Sequence, residues 1–194
     1  MARVNLCEPL LFPSLENRVR IIGGEWRSRR ITFPSRDGLR PTADRVRETL
    51  FNWLGQDLHG KSCLDLFAGS GVLGFEAASR GAKEVVMVER DPITFNALML
   101  SAKSLGGPAI QLVKQDALLF LKGDNRTYDV IFLDPPFGEG CLAQVLEHLP
   151  PRTHAGSFVY VENSTRFSPP SGWEFFRSDR ASKVHYGLLI RSSA

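Results

Sequence analysis

The chain is poor in three things. It has only three cysteines in 194 residues, Cys7, Cys63 and Cys141, widely spaced and with no C-x-x-C pair. That excludes a disulfide framework and supplies no zinc or redox spacing, so idle or buried thiols and no metal are expected. It has no long hydrophobic run: Val85–Val88 and Val130–Leu133 are typical of the longest, far below the ~20 residues that cross a bilayer. Near the N-terminus, Leu10-Leu11-Phe12 is closed by Pro13, too short for the apolar region of a secretory signal. No membrane is expected, and a cytoplasmic location is. Internal repeats and low-complexity blocks are also missing, so the chain reads as one series of elements. With 43% hydrophobic and 23% charged residues, that series has the composition of a single folded domain with at most a small appendage.

Lysine is absent from residues 18–47, where nine arginines face only three acids, Glu25, Asp37 and Asp44. The net charge of +3 therefore divides into +6 on this segment and −3 on the remainder. An arginine excess confined to one stretch, with Trp26 and Phe33 inside it, suits phosphate contacts and stacking on RNA better than a solvated, salt-bridged hairpin. The candidate RNA-binding residues are Arg20, Trp26, Arg27, Arg29, Arg30, Arg40, Arg45 and Arg47.

Patterning divides the chain into three. Residues 1–17 carry little signal and are expected to be a poorly ordered leader. Residues 18–41 read as a hairpin and loop, with Val19-Arg20-Ile21-Ile22 leading to Gly23-Gly24 as the turn and Trp26 to Phe33 returning. Residues 42–194 form the main body. It opens on a helix in which Val46, Leu50, Trp53 and Leu54 share the inner face and Arg45, Arg47 and Glu48 point outward. Short apolar strands then alternate with helical segments: Cys63–Leu66, Val85–Glu89, Ile110–Val113, Val130–Leu133 and Ser157–Val161. This is the grammar of a parallel sheet covered on both faces. Trp173–Arg177 and Val184–Arg191 alternate as an antiparallel pair finishing the sheet, with Trp173, His185 and Tyr186 as structural residues.

Asp65-Leu66-Phe67-Ala68-Gly69-Ser70-Gly71-Val72-Leu73-Gly74 runs from a strand through a glycine turn into a helix. Gly69 and Gly71 let the backbone turn tightly and close on a ligand, and Gly74 allows close helix–strand packing. With Glu89 twenty positions after Gly69, the bare pattern also fits a dinucleotide site. Four acids decide between these readings. Asp65, Glu89, Asp116 and Asp134 stand at or just past the C-terminal ends of successive strands, the edge where such sheets bind ligands. Taken singly, each is explained as a solvated residue or a helix cap, as Asp91 before Pro92 is expected to be. Together they would repel a pyrophosphate and suit a cofactor of net positive charge. S-adenosylmethionine, with a sulfonium and an ammonium against one carboxylate, is such a molecule. Glu89 then accepts from the ribose diol, and Asp116, followed by Ala117, from the adenine amino group. Asp65 lies near the methionine part, with Phe67, Ala68, Gly69 and Gly71 closing on the cofactor.

Asp134-Pro135-Pro136-Phe137 follows the fourth strand, and its two prolines stop the strand and stiffen the turn. An exocyclic amine is a poor nucleophile while its lone pair is delocalised into a ring. Acceptors that hold its two hydrogens localise that pair, and the Asp134 carboxylate and Pro135 carbonyl supply them; Pro136 removes a competing N–H. Asp134 stabilises the charge that develops on nitrogen, and Phe137 stacks on a base that has been looped or flipped out.

These motifs resemble the class I S-adenosylmethionine-dependent methyltransferases of the amino-methylating branch. Arg20-Ile21-Ile22-Gly23-Gly24-x-Trp26-Arg27 and Gly38-Leu39-Arg40-Pro41-Thr42-x-Asp44-Arg45-Val46-Arg47-Glu48-Thr49-Leu50-Phe51-Asn52-Trp53-Leu54 resemble, more narrowly, the bacterial RsmD-type 16S rRNA guanine-N2 methyltransferases, over about residues 18–191. The resemblance implies a Rossmann-like α/β fold: a mostly parallel seven-stranded sheet, an antiparallel C-terminal strand pair and an N-terminal hairpin and helix extension, with residues 42–194 as the catalytic domain. It implies transfer of a methyl group from S-adenosylmethionine, leaving S-adenosylhomocysteine, to the N2 amine of one loop guanine, conventionally guanine 966. The implied partner is 16S rRNA in a partly assembled small subunit, and a monomer is expected. The chain departs from the pattern at Ser28, where glycine is expected, in residues 1–17, which have no counterpart, and around Lys183–Gly187, which is loosely similar. DNA adenine N6 or a protein glutamine amide as acceptor, and a non-catalytic RNA-binding factor, stay open as alternatives.

Overall fold

The computed structural model describes residues 17–35, 41–135 and 141–191, and the apolar runs within them assemble into a seven-stranded sheet. In chain order the elements are β1 (Asn17–Arg20), β2 (Arg30–Phe33), α1 (Asp44–Leu54), β3 (Ser62–Asp65), α2 (Val72–Ser79), β4 (Glu84–Val88), α3 (Pro92–Leu105), β5 (Ile110–Val113), α4 (Ala117–Gly123), β6 (Tyr128–Leu133), α5 (Cys141–His148), a 3-10 turn, β7 (Thr153–Asn163), β8 (Trp173–Ala181) and β9 (Val184–Arg191). The strand order is β5-β4-β3-β6-β7-β9-β8. Strands β3 to β7 are parallel, β9 is antiparallel to β7, and β8 is antiparallel to β9. This is the Rossmann-like arrangement expected, with its antiparallel pair and N-terminal hairpin.

Both faces of the central strands β3, β4 and β6 are covered, which is why these strands are apolar at nearly every position. Cys63, Val85, Met87, Val130, Phe132 and Tyr160 face one core, built with the hairpin and α1 to α3. Their neighbours Leu64, Val86, Val88, Ile131, Leu133 and Val161 face the other, filled from α4 and α5 by Phe120, Leu121, Val145 and Leu146. The chain steps outward from β3 through β4 to β5, then crosses back to place β6 on the opposite side of β3. The order thus reverses between β3 and β6, and such a switch opens a crevice at the C-terminal strand ends.

Strands β1 and β2 pair from Asn17 with Phe33 to Arg20 with Arg30. Gly23-Gly24, expected to form the tip of a tight turn, instead lies against the end of α2. A Cβ on Gly24, whose φ is +72°, would sit 1.9 Å from the Ser79 carbonyl oxygen. The close approach lets Glu25 N donate to Ser79 O at 2.7 Å and Trp26 N to Ser79 Oγ at 2.8 Å. Ser28 holds a φ of +70°, the left-handed conformation that explains why glycine is the expected residue there. A side chain in that region costs about 1–2 kcal/mol, part of which glycine returns through its freer unfolded chain. Ser28→Gly is therefore expected to stabilise the protein by about 0.5–1 kcal/mol, seen as a higher denaturant midpoint with an unchanged slope.

The structure corrects three expectations drawn from the arginine-rich segment. Trp26 and Phe33 are core residues, not exposed stacking platforms, and Trp26 is only 7% exposed. Arg47, expected on the outer face of α1 and among the RNA-binding residues, is fully buried. The inner stripe of α1 is Val46, Arg47, Leu50 and Phe51. Trp53 and Leu54 are half-buried at its edge, with Trp53 stacked on Tyr186 at 5.6 Å. Arg47 reaches inward because Glu76 lies there: its Nη1 donates to Glu76 Oε1 and, at 3.0 Å, to Arg20 O. Its Nε donates to Thr42 O at 3.0 Å and its Nη2 to Asp44 Oδ1 at 2.5 Å. Arg80 completes the knot, donating to Glu76 Oε2 at 3.2 Å from above the Phe51 ring.

Candidate active site

Asp65 ends β3 at the switch point. It is 3% exposed, and its Oδ2 accepts from Gly74 N at 3.0 Å, anchoring the first turn of α2. Gly71 adopts φ +81°, and a Cβ there would meet Leu98 at 2.4 Å; one on Gly74 would meet Met87 at 2.8 Å. The turn is thus packed tightly from behind, while Gly69, at φ +50°, stands at its front. Glu89 grips this turn from β4: its Oε2 accepts from Gly69 N at 3.0 Å and its Oε1 from Asp91 N at 2.7 Å. Ala68 is buried, with its N–H on Val88 O, and Phe67 is half-buried against the second core.

Asp116 caps α4, accepting from Leu118 N at 2.9 Å and Leu119 N at 3.2 Å with one oxygen, while the other lies 4.0 Å from Arg90. Ala117 behind it is buried. Asp91 caps α3 through Thr94 N, as expected. Asp65, Glu89 and Asp116 therefore each have a local structural partner while standing at the C-terminal edge of the sheet.

The reactive turn begins at Asp134 and the buried Pro135, one residue beyond β6. Pro136 and Phe137 lie outside the described residues, as do Arg40 and residues 1–16 of the expected leader. Leu133 pairs with Val161, which sets Asp134 level with Glu162 on β7. Glu162, 7% exposed, accepts from Thr42 Oγ1 at 3.0 Å and from Tyr160 Oη at 2.7 Å, both on Oε1. Glu162 and Tyr160 are not among the expected site residues, and Thr42 is present there only within the Gly38–Leu54 motif. Glu162 carries a readable signal, since it immediately follows the expected strand Ser157–Val161, just as the other acids follow theirs.

Three carboxyls therefore interact at this edge, the buried Asp65 and Glu162 and the half-buried Asp134. Burial is the main cause that pushes the Asp65 carboxyl up to about 7, with Glu89 adding repulsion and the Gly74 N–H opposing it. Burial, then Glu162 and Asp65, push Asp134 well above the usual carboxylate range. Burial raises Glu162 against the opposing hydroxyls of Tyr160 and Thr42. Like charges packed this way favour a cationic ligand and disfavour a pyrophosphate, so the donor set fits S-adenosylmethionine.

A stability consequence follows for Asp65. The folded state holds its proton more tightly than the unfolded chain, so stability falls as pH rises from about 4 to about 7, and the full deficit is present above that. Asp65→Asn keeps an acceptor for Gly74 N without the charge. It is expected to equal the parent near pH 4 and to exceed it by about 2–4 kcal/mol at pH 8, in denaturant melts across that range. The same variant should bind the cofactor more weakly.

Of the expected RNA-facing arginines, Arg20, Arg27, Arg29, Arg30 and Arg45 are exposed. Arg20 is ion-paired with Asp44 at 2.8 Å. Arg29 donates to Leu105 O at 3.1 Å and Ser104 O at 2.5 Å, tying the hairpin to the C-terminal end of α3. Among the described residues no helix is long and apolar enough to cross a membrane.

Comparison with known proteins agrees with this geometry. The family described as Conserved hypothetical protein 95 matches residues 19–190. Ribosomal RNA small subunit methyltransferase D of Haemophilus influenzae (strain ATCC 51907 / DSM 11121 / KW20 / Rd) is 39% identical over 184 residues, covering 91% of this chain and 95% of that one. Its Escherichia coli (strain K12) namesake is 37% identical over 181 residues, covering 91% of each. The solved structure of yhhF from Escherichia coli superposes with a TM-score of 0.84 at 37% identity, covering 92% of this chain and 100% of that chain. With its sheet, its glycine turn and its acid-lined crevice, the chain belongs to the Conserved hypothetical protein 95 family, that of the RsmD-type methyltransferases.

Proposed function

We propose that this protein methylates the N2 amine of a guanine in a loop of 16S rRNA, conventionally guanine 966, using S-adenosylmethionine. The observation that carries the reading is the cluster of Asp65, Asp134 and Glu162 at the ends of the central strands. When bound, the cofactor supplies an electrophilic methyl group. Asp65, Glu89 and the turn from Phe67 to Gly71 hold it, with Asp116 and Ala117 at its adenine end. Asp134 and the Pro135 carbonyl accept the two amine hydrogens, localising the nitrogen lone pair, and Asp134 takes up a proton after transfer. Phe137 stacks on the base and Pro136 keeps the turn free of a competing donor.

The exposed Arg20, Arg27, Arg29, Arg30 and Arg45 contact the phosphates, a role also assigned to Arg40 from the sequence. The substrate is rRNA in a partly assembled small subunit, and the enzyme acts as a monomer in the cytoplasm. Primer extension across the rRNA site tests this. Cells lacking the protein should lose the N2-methyl stop at guanine 966 and regain it from the wild-type gene; a stop that persists without the protein overturns the assignment.

A further inference from the structure

The segment from Gly38 to Leu54 supplies more than exposed arginines: Thr42 reaches the site and the buried Arg47 holds Thr42 in place. Thr42 is 7% exposed; its carbonyl is fixed by the buried Arg47 and its hydroxyl donates to Glu162 at 3.0 Å. Tyr160, fully buried, donates to the same carboxylate oxygen at 2.7 Å. Glu162 is thus clamped from a loop and from its own strand, at the level of Asp134. We propose that Glu162 is a positioning residue: clamped by Thr42 and Tyr160, it remains the charged member of its pair with Asp134, so that Asp134 keeps a proton until the cationic methyl donor binds.

The clamp decides where the proton sits. Two hydroxyl donors on Glu162 Oε1 stabilise its ionised form. Asp134 faces Glu162 and Asp65 and interacts with the Tyr160 phenol, so its own ionisation would set a further negative charge beside Glu162. A positive ligand offsets that charge. The Asp134 O–H then breaks, its proton leaves to solvent and the electron pair stays on oxygen, which becomes the acceptor an incoming amine requires. Because the two carboxyls lie level on neighbouring strands and repel each other, a change at Glu162 must be felt at Asp134. The inference rests on the proposed cofactor, but its readout involves neither RNA nor turnover.

The test is a carbon-13 carboxyl titration of the full chain, with the Asp134 signal assigned through Asp134→Asn. It is recorded alone, with S-adenosylhomocysteine, which is neutral at sulfur, and with sinefungin, which carries an ammonium at that position. In the wild type, sinefungin should lower the Asp134 midpoint by about one to three pH units and S-adenosylhomocysteine by less. Without ligand, Glu162→Gln should lower that midpoint by about one unit or more. Tyr160→Phe, which keeps the ring, should lower it by less, because Glu162 then competes better for the proton, and Thr42→Ser should leave it unchanged. If both ligands bind and Asp134 titrates at the same pH in wild type and Glu162→Gln, the inference is overturned while the cofactor reading stands. If neither ligand binds the wild type, the cofactor reading falls and takes the inference with it.

Discussion

Asp134→Asn is expected to lower kcat for methyl transfer by about 10²–10⁴-fold while moving the KM for S-adenosylmethionine by no more than a few-fold. The variant keeps one acceptor oxygen but loses the charge proposed to face the amine and the site proposed to take its proton. Single-turnover assays with labelled cofactor and partly assembled small subunits measure the chemical step directly. Because burial and the neighbouring carboxyls hold Asp134 above the usual carboxylate range, removing its ionisation should also leave the fold at least as stable at neutral pH. Loss of rate with gain or retention of stability separates a chemical role from a structural one. A rate within about threefold of the parent would exclude Asp134 from the reaction.

Arg47→Ala is expected to cost about 3–5 kcal/mol of folding stability, a large share of the total available to a domain of this size. The substitution removes one of the two guanidinium partners of a fully buried Glu76, leaving Arg80, and leaves the carbonyls of Arg20 and Thr42 without their donor. Arg47→Lys should recover only part of the loss, because a single ammonium cannot reproduce the fork that spans α1, α2 and the hairpin. Denaturant melts of Arg47→Ala, Glu76→Gln and the double variant provide the check. The double variant should lose clearly less than the two single losses combined, since its buried charge has been removed. Additive losses would show that the pair is not coupled.

The centre of the sheet was legible because β3, β4 and β6 obey a local rule: buried on both faces, they are almost wholly apolar, and glycine and acid residues punctuate their ends. The same rule placed Asp65, Glu89 and Asp134 on one edge. Arg47 was not legible, because a charged residue on an amphipathic helix reads as solvent-facing and its partner, Glu76, lies on another helix. Trp26 and Phe33 misled for a similar reason. Set among arginines they suggested a stacking surface, whereas Trp26 lies close to Gly107 and Phe33 joins the first core. Gly23-Gly24 carried a hairpin signal, but what these residues supply is room for the end of α2. Ser28 shows the complementary case, where a departure from an expected glycine coincides with a positive φ.

The docked hairpin also bears on the thermodynamics of association. Gly24 rests on Ser79, Arg29 holds the end of α3, and Arg20 O is held by Arg47. The exposed arginines therefore project from a preformed ledge. A basic arm that orders only on contact gives up about 1–2 kcal/mol of backbone freedom for each residue fixed, and it shows the large heat-capacity change of coupled folding and binding. This ledge has already surrendered that freedom within the folded domain. On the proposed role of these arginines, an encounter with a polyanion is expected to be governed by charge and counterion release, with affinity falling steeply with salt while the heat-capacity change stays small.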